Sequence, residues 1–196
     1  MRDLNKLQAE CPEVNTFDAL DTDNIMFLYD YFPWNVPENV NYVTFKIRNL
    51  KKNETESVRA RHHSVRFFSK ALKNSIMPLI NLTNVSACIV PKSREDELSF
   101  GMLELLGTLQ NEIGFTNTEN LLRRTTTVAK AAAGGARSVE IHKDSIEVIN
   151  IDNVKNKNIF LFDDVTTTGC SLEACKQLLM EAGANQVIMI ALAKTR

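Results

Sequence analysis

Zinc-ligand spacing is missing from this chain. The four cysteines, Cys11, Cys88, Cys170 and Cys175, form no CxxC pair and have no histidine pattern beside them. Free thiols in a reducing cytosol are the simpler reading. No charged-then-apolar leader opens the sequence, and no apolar run approaches the roughly 20 residues that cross a bilayer. A cytoplasmic protein without a membrane partner is therefore expected. Repeats and low-complexity tracts are missing too. So is a dominant sign of charge: the net value of −1 over 196 residues implies no bulk attraction to nucleic acid or to a membrane surface. The distribution is uneven, however. Asp18, Asp21, Asp23, Asp30 and Glu38 make the start acidic, and Lys46 to Lys73 is rich in Lys and Arg. This length allows one α/β domain with a sizeable core and a small appendage.

The most informative stretch is Asn158 to Ser171, NIFLFDDVTTTGCS. Ile159 to Phe162 is a short continuous apolar run, which suits a strand buried on both faces of a parallel sheet. Asp163 and Asp164 follow, and then Thr166, Thr167, Thr168, Gly169, Cys170 and Ser171. Leu172, Cys175, Leu179 and Ala182 fall on one helical face, Gly183 is a natural helix stop, and Gln186 to Ala193 reads as another buried strand. The unit is strand, loop, helix, strand, with the polar loop at the strand's C-terminal end and the helix N-terminus. Amides there have no intrahelical partner and the helix dipole is positive. Small residues let a phosphate come close, and hydroxyls add donors. Ionised carboxylates repel a phosphate but accept two O–H donors from a sugar. A phosphate cradle one step beyond a pair of hydroxyl acceptors describes a site for a ribose 5-phosphate. The bland alternative, a βα turn capped by Thr or Ser, needs neither paired carboxylates nor three successive threonines.

FLFDDVTTTGCSL closely resembles the thirteen-residue motif with which type I phosphoribosyltransferases bind 5-phosphoribosyl 1-pyrophosphate (PRPP). The resemblance implies that Asp163 and Asp164 contact the ribose 2- and 3-hydroxyls and that Thr166 to Ser171 hold the 5-phosphate. It also implies a mainly parallel open α/β sheet with helices on both faces, a PRPP-binding core over residues 81–196, and an N-terminal hood over residues 1–80 that builds the acceptor pocket, the whole packed as one domain. Mg²⁺ is the implied cofactor, bridging pyrophosphate and ribose hydroxyls, with Asp163 or Asp164 reaching it directly or through water.

The remaining segments fit around this unit. Residues 1–23 carry weak signals: Leu4, Leu7 and Cys11 hint at a short helix ended by Pro12, and the run from Asp18 to Asp23 is a loop. Ile25 to Tyr31 reads as a strand. Pro37 to Lys51 is ambiguous, but the longer i, i+3, i+4 pattern favours a helix. A second helix is expected from Ser57 to Lys73, burying Val65, Phe68 and Leu72. Its bases, Arg59, Arg61, His62, Arg66 and Lys70, could contact nucleic acid, but a solvated face opposite a buried stripe is the simpler reading. Val85 to Val90 is the next strand. A helix marked by Leu98, Met102, Leu105 and Leu109 follows and stops near Gly114.

Ligands of open α/β sheets collect outside the strands' carboxyl ends, which places Lys92, Ser93 and Arg94 at the same rim as Asp163. In the resembling family a loop in that position binds pyrophosphate; Arg94 has the alternative of pairing with Glu95 or Asp96. Leu121 to Ser138 mixes bases, hydroxyls and small residues. The resemblance makes it a mobile loop that closes over the substrate, with Arg123, Arg124, Lys130 and Arg137 as candidates for holding pyrophosphate; a disordered linker with an Ala-rich helical segment fits the same composition equally. Ile141 to Ile151 reads as a strand or hairpin. YDYFP, IRNLKKN, VPKSR and LLRR make the chain similar to the ComF-type members, although the N-terminal zinc-binding cysteines of many of them are missing. The expected activity is phosphoribosyl transfer from PRPP to an acceptor that the sequence does not reveal. The alternative is a non-catalytic PRPP- or nucleotide-binding regulator or DNA-uptake accessory. A homodimer is left open.

Overall fold

Alternation along two strands decides how the molecule is layered. In the computed structural model, which describes residues 8–34, 39–52, 57–80, 83–97, 99–115, 121–128 and 138–196, β5 is Asn158–Thr166 and β6 is Gln186–Thr195. They pair in parallel with Ile159 opposite Val187 and Phe162 opposite Ile190. Successive side chains of a strand point to opposite faces. Phe160, Phe162, Ile188, Ile190 and Leu192 therefore enter one apolar cluster, while Ile159, Leu161, Val187, Met189 and Ala191 enter another. Both faces of these strands are buried, which is why they read as continuous apolar runs.

β2, Val85–Ile89, pairs in parallel with β5, and β1, Met26–Tyr31, pairs in parallel with the far side of β6. The sheet order is β1-β6-β5-β2, so this is the expected parallel α/β sheet with helices on both faces. β1 comes from the first 80 residues, which thus supply a strand of the main sheet as well as helices.

The first face is covered by α1, Tyr42–Leu50, α2, Val58–Ile76, and α3, Phe100–Ile113. The ambiguous segment is a helix, shorter than expected, and begins where the Asn41 side chain accepts the Thr44 amide at 3.0 Å. Val43, Ile47 and Leu50 are its buried stripe. Residues 35–38, which include Pro37, lie outside the described residues. On α2 the buried side includes Val65, Phe68 and Leu72, while Arg59, His62, Arg66 and Lys70 are exposed. Arg61 is buried instead, with its Nε 3.0 Å from Glu104 Oε2 of α3. α3 passes so close to the end of α1 that a Cβ on Gly101 would lie 2.1 Å from the Leu50 carbonyl oxygen. It ends at Gly114, whose φ of +82° suits a glycine helix stop.

On the second face lie α5, Cys170–Glu181, and a small unit made of β3, Leu122–Arg124, α4, Val139–Asp144, and β4, Ile146–Val148. β3 and β4 pair antiparallel. The expectation of a strand or hairpin over Ile141 to Ile151 is corrected for its first half. Ser138 caps a helical turn by accepting the Ile141 amide, and Ile141 is 44% exposed. The polar run His142 to Ser145 interrupts any alternation, so only Ile146 and Val148 follow strand periodicity. None of the four cysteines is in a disulfide. Among the described residues no helix is long and apolar enough to cross a membrane.

Candidate active site

The carboxyl ends of β2 and β5 open into a cavity of about 470 Å³, lined on one side by Asp163 to Leu172 and on the other by Val90 to Ser93 and Arg124. β5 continues through Thr166, so the two acids stand on the strand itself. Strand alternation sends them apart. Asp164 faces the α1 side, where Lys51, just past the helix end, meets Asp164 Oδ1 at 3.1 Å. Asp163 turns toward the α5 side, and its Oδ1 accepts the Asp164 amide at 2.8 Å.

Burial raises the Asp163 carboxyl well above the ordinary carboxylate range, and the neighbouring Asp164 adds to the shift; Lys51 and the amide bond only partly offset it. Lys51 shows the opposite balance. Burial pulls its ammonium down, but Asp164 and Asp163 outweigh that and raise it. A pair of acids with one lysine is a group whose charge depends on what else is bound. Two oxygen ligands suit Mg²⁺, which keeps waters and takes further oxygens from a phosphorylated ligand. No cluster of three or more metal-binding side chains occurs among the described residues.

The run from Thr166 to Ser171 does not act as one surface. Thr166 is buried at the end of β5. Thr167 and Thr168 are exposed; the Thr167 hydroxyl lies 3.1 Å from that of Thr195, and Thr168 Oγ1 is 3.3 Å from Cys170 Sγ. Gly169 has a φ of +84°, and a Cβ there would sit 2.4 Å from Ile25 Cδ1. This residue starts α5, and no side chain caps that helix end among the described residues. The first-turn amides thus open on the cavity with the positive end of the helix dipole.

The opposite wall carries the basic groups. Lys92 Nζ is paired with Glu97 Oε1 at 3.0 Å. Ser93 lines the cavity, whereas Arg94 is exposed and does not. The four loop candidates separate. Arg123 and Arg124 belong to β3, and alternation sends them to different places: Arg123 is exposed and pairs with Glu147 across the β3–β4 ladder, while Arg124 is 2% exposed and lines the cavity. Its Nε donates to the Lys92 carbonyl at 2.9 Å and its Nη1 to Ser145 Oγ at 2.5 Å. Burial pulls its pKa down, yet a guanidinium stays protonated, so a buried positive charge faces the cavity. Lys130 and Arg137 lie outside the described residues.

Three ionisable cavity residues escaped the sequence reading. Lys51 arrives only because α1 packs against the sheet. Glu97 takes the lysine of its own loop. His142, on α4, reaches Ser171 Oγ with Nε2 at 3.2 Å. Burial lowers the imidazole pKa, and the nearby Arg124 lowers it further. No sequence signal singled out His142, since neither its spacing nor its neighbours tie it to the motif 29 residues later.

No family model matches the chain. Over 51 residues it is 37% identical to a ribose-phosphate pyrophosphokinase of Methanobrevibacter smithii, a stretch that covers 26% of this chain and 17% of the relative. A solved phosphoribosylpyrophosphate synthetase from Mycobacterium smegmatis matches with a TM-score of 0.39 and 17% identity, over 67% of this chain and 33% of that one. The chain thus spans well under half the length of either protein.

Proposed function

We propose that the chain binds PRPP along this rim and transfers its phosphoribosyl group to an acceptor, releasing pyrophosphate, as a ComF-like enzyme would. The observation that carries the reading is the meeting, in one cavity, of two strand-end carboxylates with an uncapped helix N-terminus and a buried, cavity-facing arginine. The 5-phosphate takes the amides of Gly169 to Ser171 and the hydroxyls of Thr167, Thr168 and Ser171. Asp163 and Asp164 accept the ribose hydroxyls, for which Lys51 must release Asp164. Lys92, Ser93 and Arg124 face the pyrophosphate. As pyrophosphate leaves, the bond from the anomeric carbon to its oxygen breaks with the electron pair going to oxygen, and a bond from the acceptor forms. The leaving charge is met by Arg124 and Lys92. When bound, Mg²⁺ supplies charge neutralisation at the pyrophosphate and orientation of the diol. Most of the rate then comes from positioning rather than from a protein nucleophile.

The curated relative motivates a second reading, in which ribose 5-phosphate in the same cradle receives pyrophosphate. A regulator that binds without turnover is the third. Two assays separate them: pyrophosphate release from Mg-PRPP over a panel of bases, and PRPP formation from ribose 5-phosphate and ATP. Calorimetric binding with turnover in neither assay favours the regulator. The double variant Asp163→Asn with Asp164→Asn is expected to keep the fold and lose Mg-PRPP binding; retained affinity would remove the ribose assignment.

A further inference from the structure

His142 lines the cavity, and its chemistry is left unused by this reading. Its Nε2 lies 3.2 Å from Ser171 Oγ, in the first turn of α5. Its Nδ1 is buried and has no hydrogen-bond partner among the described residues. That orphan decides the tautomer. A buried N–H without an acceptor is rarer and costlier than a lone pair without a donor, so the proton belongs on Nε2. The positive charge of Arg124 nearby also favours a neutral ring. Among the described residues the Ser171 hydroxyl has no other partner. Serines in a helix often turn back to a carbonyl of the preceding turn; Ser171 does not.

A serine hydroxyl has one proton and two lone pairs. With one lone pair filled by the imidazole N–H, the proton is left for an acceptor in the cavity, and a phosphate is acceptor-only. The backbone that carries the ring is tied to the cavity wall. Ser145 Oγ, which takes the Arg124 Nη1 bond, lies 2.8 Å from the Ile141 carbonyl and 3.1 Å from that of His142. Arg124 in turn holds the Lys92 carbonyl on the opposite wall. A continuous chain of polar contacts thus ties the basic rim to the helix that carries His142.

We propose that His142 is a positioning residue of the phosphate cradle: its Nε2–H donates to Ser171 Oγ and turns the serine proton toward the 5-phosphate of a bound phosphoribosyl ligand. The inference rests on the phosphate reading of the α5 N-terminus. Glutamine can place an N–H donor near the position of Nε2, asparagine only near Nδ1, and leucine has none. Titration calorimetry of the full chain with Mg-PRPP and with ribose 5-phosphate therefore tests it. His142→Gln is expected to stay within about threefold of the unmutated chain. His142→Leu, His142→Asn and Ser171→Ala are each expected to lose about tenfold, the worth of one hydrogen bond to a charged group. His142→Leu combined with Ser171→Ala is expected to lose no more than Ser171→Ala alone, because the two act through one bond. Thermal melts check folding; should His142→Leu fail to fold, the Gln and Asn pair carries the same contrast. Wild-type affinity in His142→Leu, equal affinities of the Gln and Asn variants, or additive losses would overturn the inference alone. No binding of either ligand by the unmutated chain would overturn the reading of the site and the inference with it.

Discussion

Asp163 is a carboxylate placed where a carboxylate is unfavourable. Burial and Asp164 hold its pKa above the ordinary value, so the native state prefers it protonated. The stability this contributes is complete below the unfolded value near 3.9 and is lost as pH rises through the raised native value. At neutral pH the residue therefore weakens the fold that carries it. Asn has no charge to bury and keeps an oxygen to accept the Asp164 amide, a bond of 2.8 Å in the native chain. Asp163→Asn is expected to stabilise the ligand-free protein at pH 7.5 by about 1 kcal/mol, or roughly 2–4 °C in a chain of this size. At pH 4 the gain should vanish. Thermal melts at the two pH values check this, and a variant less stable than wild type at both would show that the carboxylate is a structural asset. A residue that costs stability suits a binding role better than a packing one. Lys51 eases the situation only in part, since its side chain is 47% exposed and such pairs contribute little.

At the scale of elements, the approach of α1 to α3 decides whether Lys51 reaches the site. Gly101 permits that approach: a Cβ would lie 2.1 Å from the Leu50 backbone oxygen, one residue before Lys51. Backbone cannot rotate out of the way as a side chain can, so the helices must separate. Gly101→Ala is expected to destabilise the protein by about 1–3 kcal/mol. Gly107, further along the same helix, has nothing within 4 Å of its Cβ position. Gly107→Ala should stabilise by up to about 1 kcal/mol through helix propensity alone. Urea denaturation of the two variants reads both signs, and a neutral Gly101→Ala would mean that the helices adjust freely. The same distinction explains what could be read from the sequence. β5, α5 and β6 were legible because each signal is local: apolar runs, a glycine stop, paired acids before small hydroxylated residues. α4 was not, because Ile141 resembles the start of a strand until its exposure is known. Arg123 and Arg124 looked equivalent in a list of bases, and only the strand they occupy separates an exposed ion pair from a buried guanidinium. Lys51 and His142 come to the cavity through packing between distant segments, which no spacing rule encodes.

For the molecule as a whole, the question is whether the first 80 residues are an appendage or part of the core. β1 pairs along β6 from Met26 opposite Ile190 to Tyr31 opposite Thr195. Val43, Ile47, Phe68 and Leu72 share one buried cluster with Phe160, Phe162, Ile188 and Ile190. Removing residues 1–80 would uncover that face of the sheet, and each large apolar side chain so exposed forfeits about 1.5–3 kcal/mol. Several such losses exceed the total stability of an ordinary domain, about 5–15 kcal/mol. The fragment 81–196 is therefore expected not to fold, which the absence of dispersed amide resonances would show. The intact chain should unfold in one step. Its single tryptophan, Trp34, packs edge-on to Phe45 beneath Arg48 and reports on the N-terminal part alone, whereas circular dichroism reports on every helix. Coincident urea transitions by fluorescence and dichroism are expected. An earlier fluorescence transition would mean that α1, and Lys51 with it, opens independently of the sheet that carries Asp163 and Asp164.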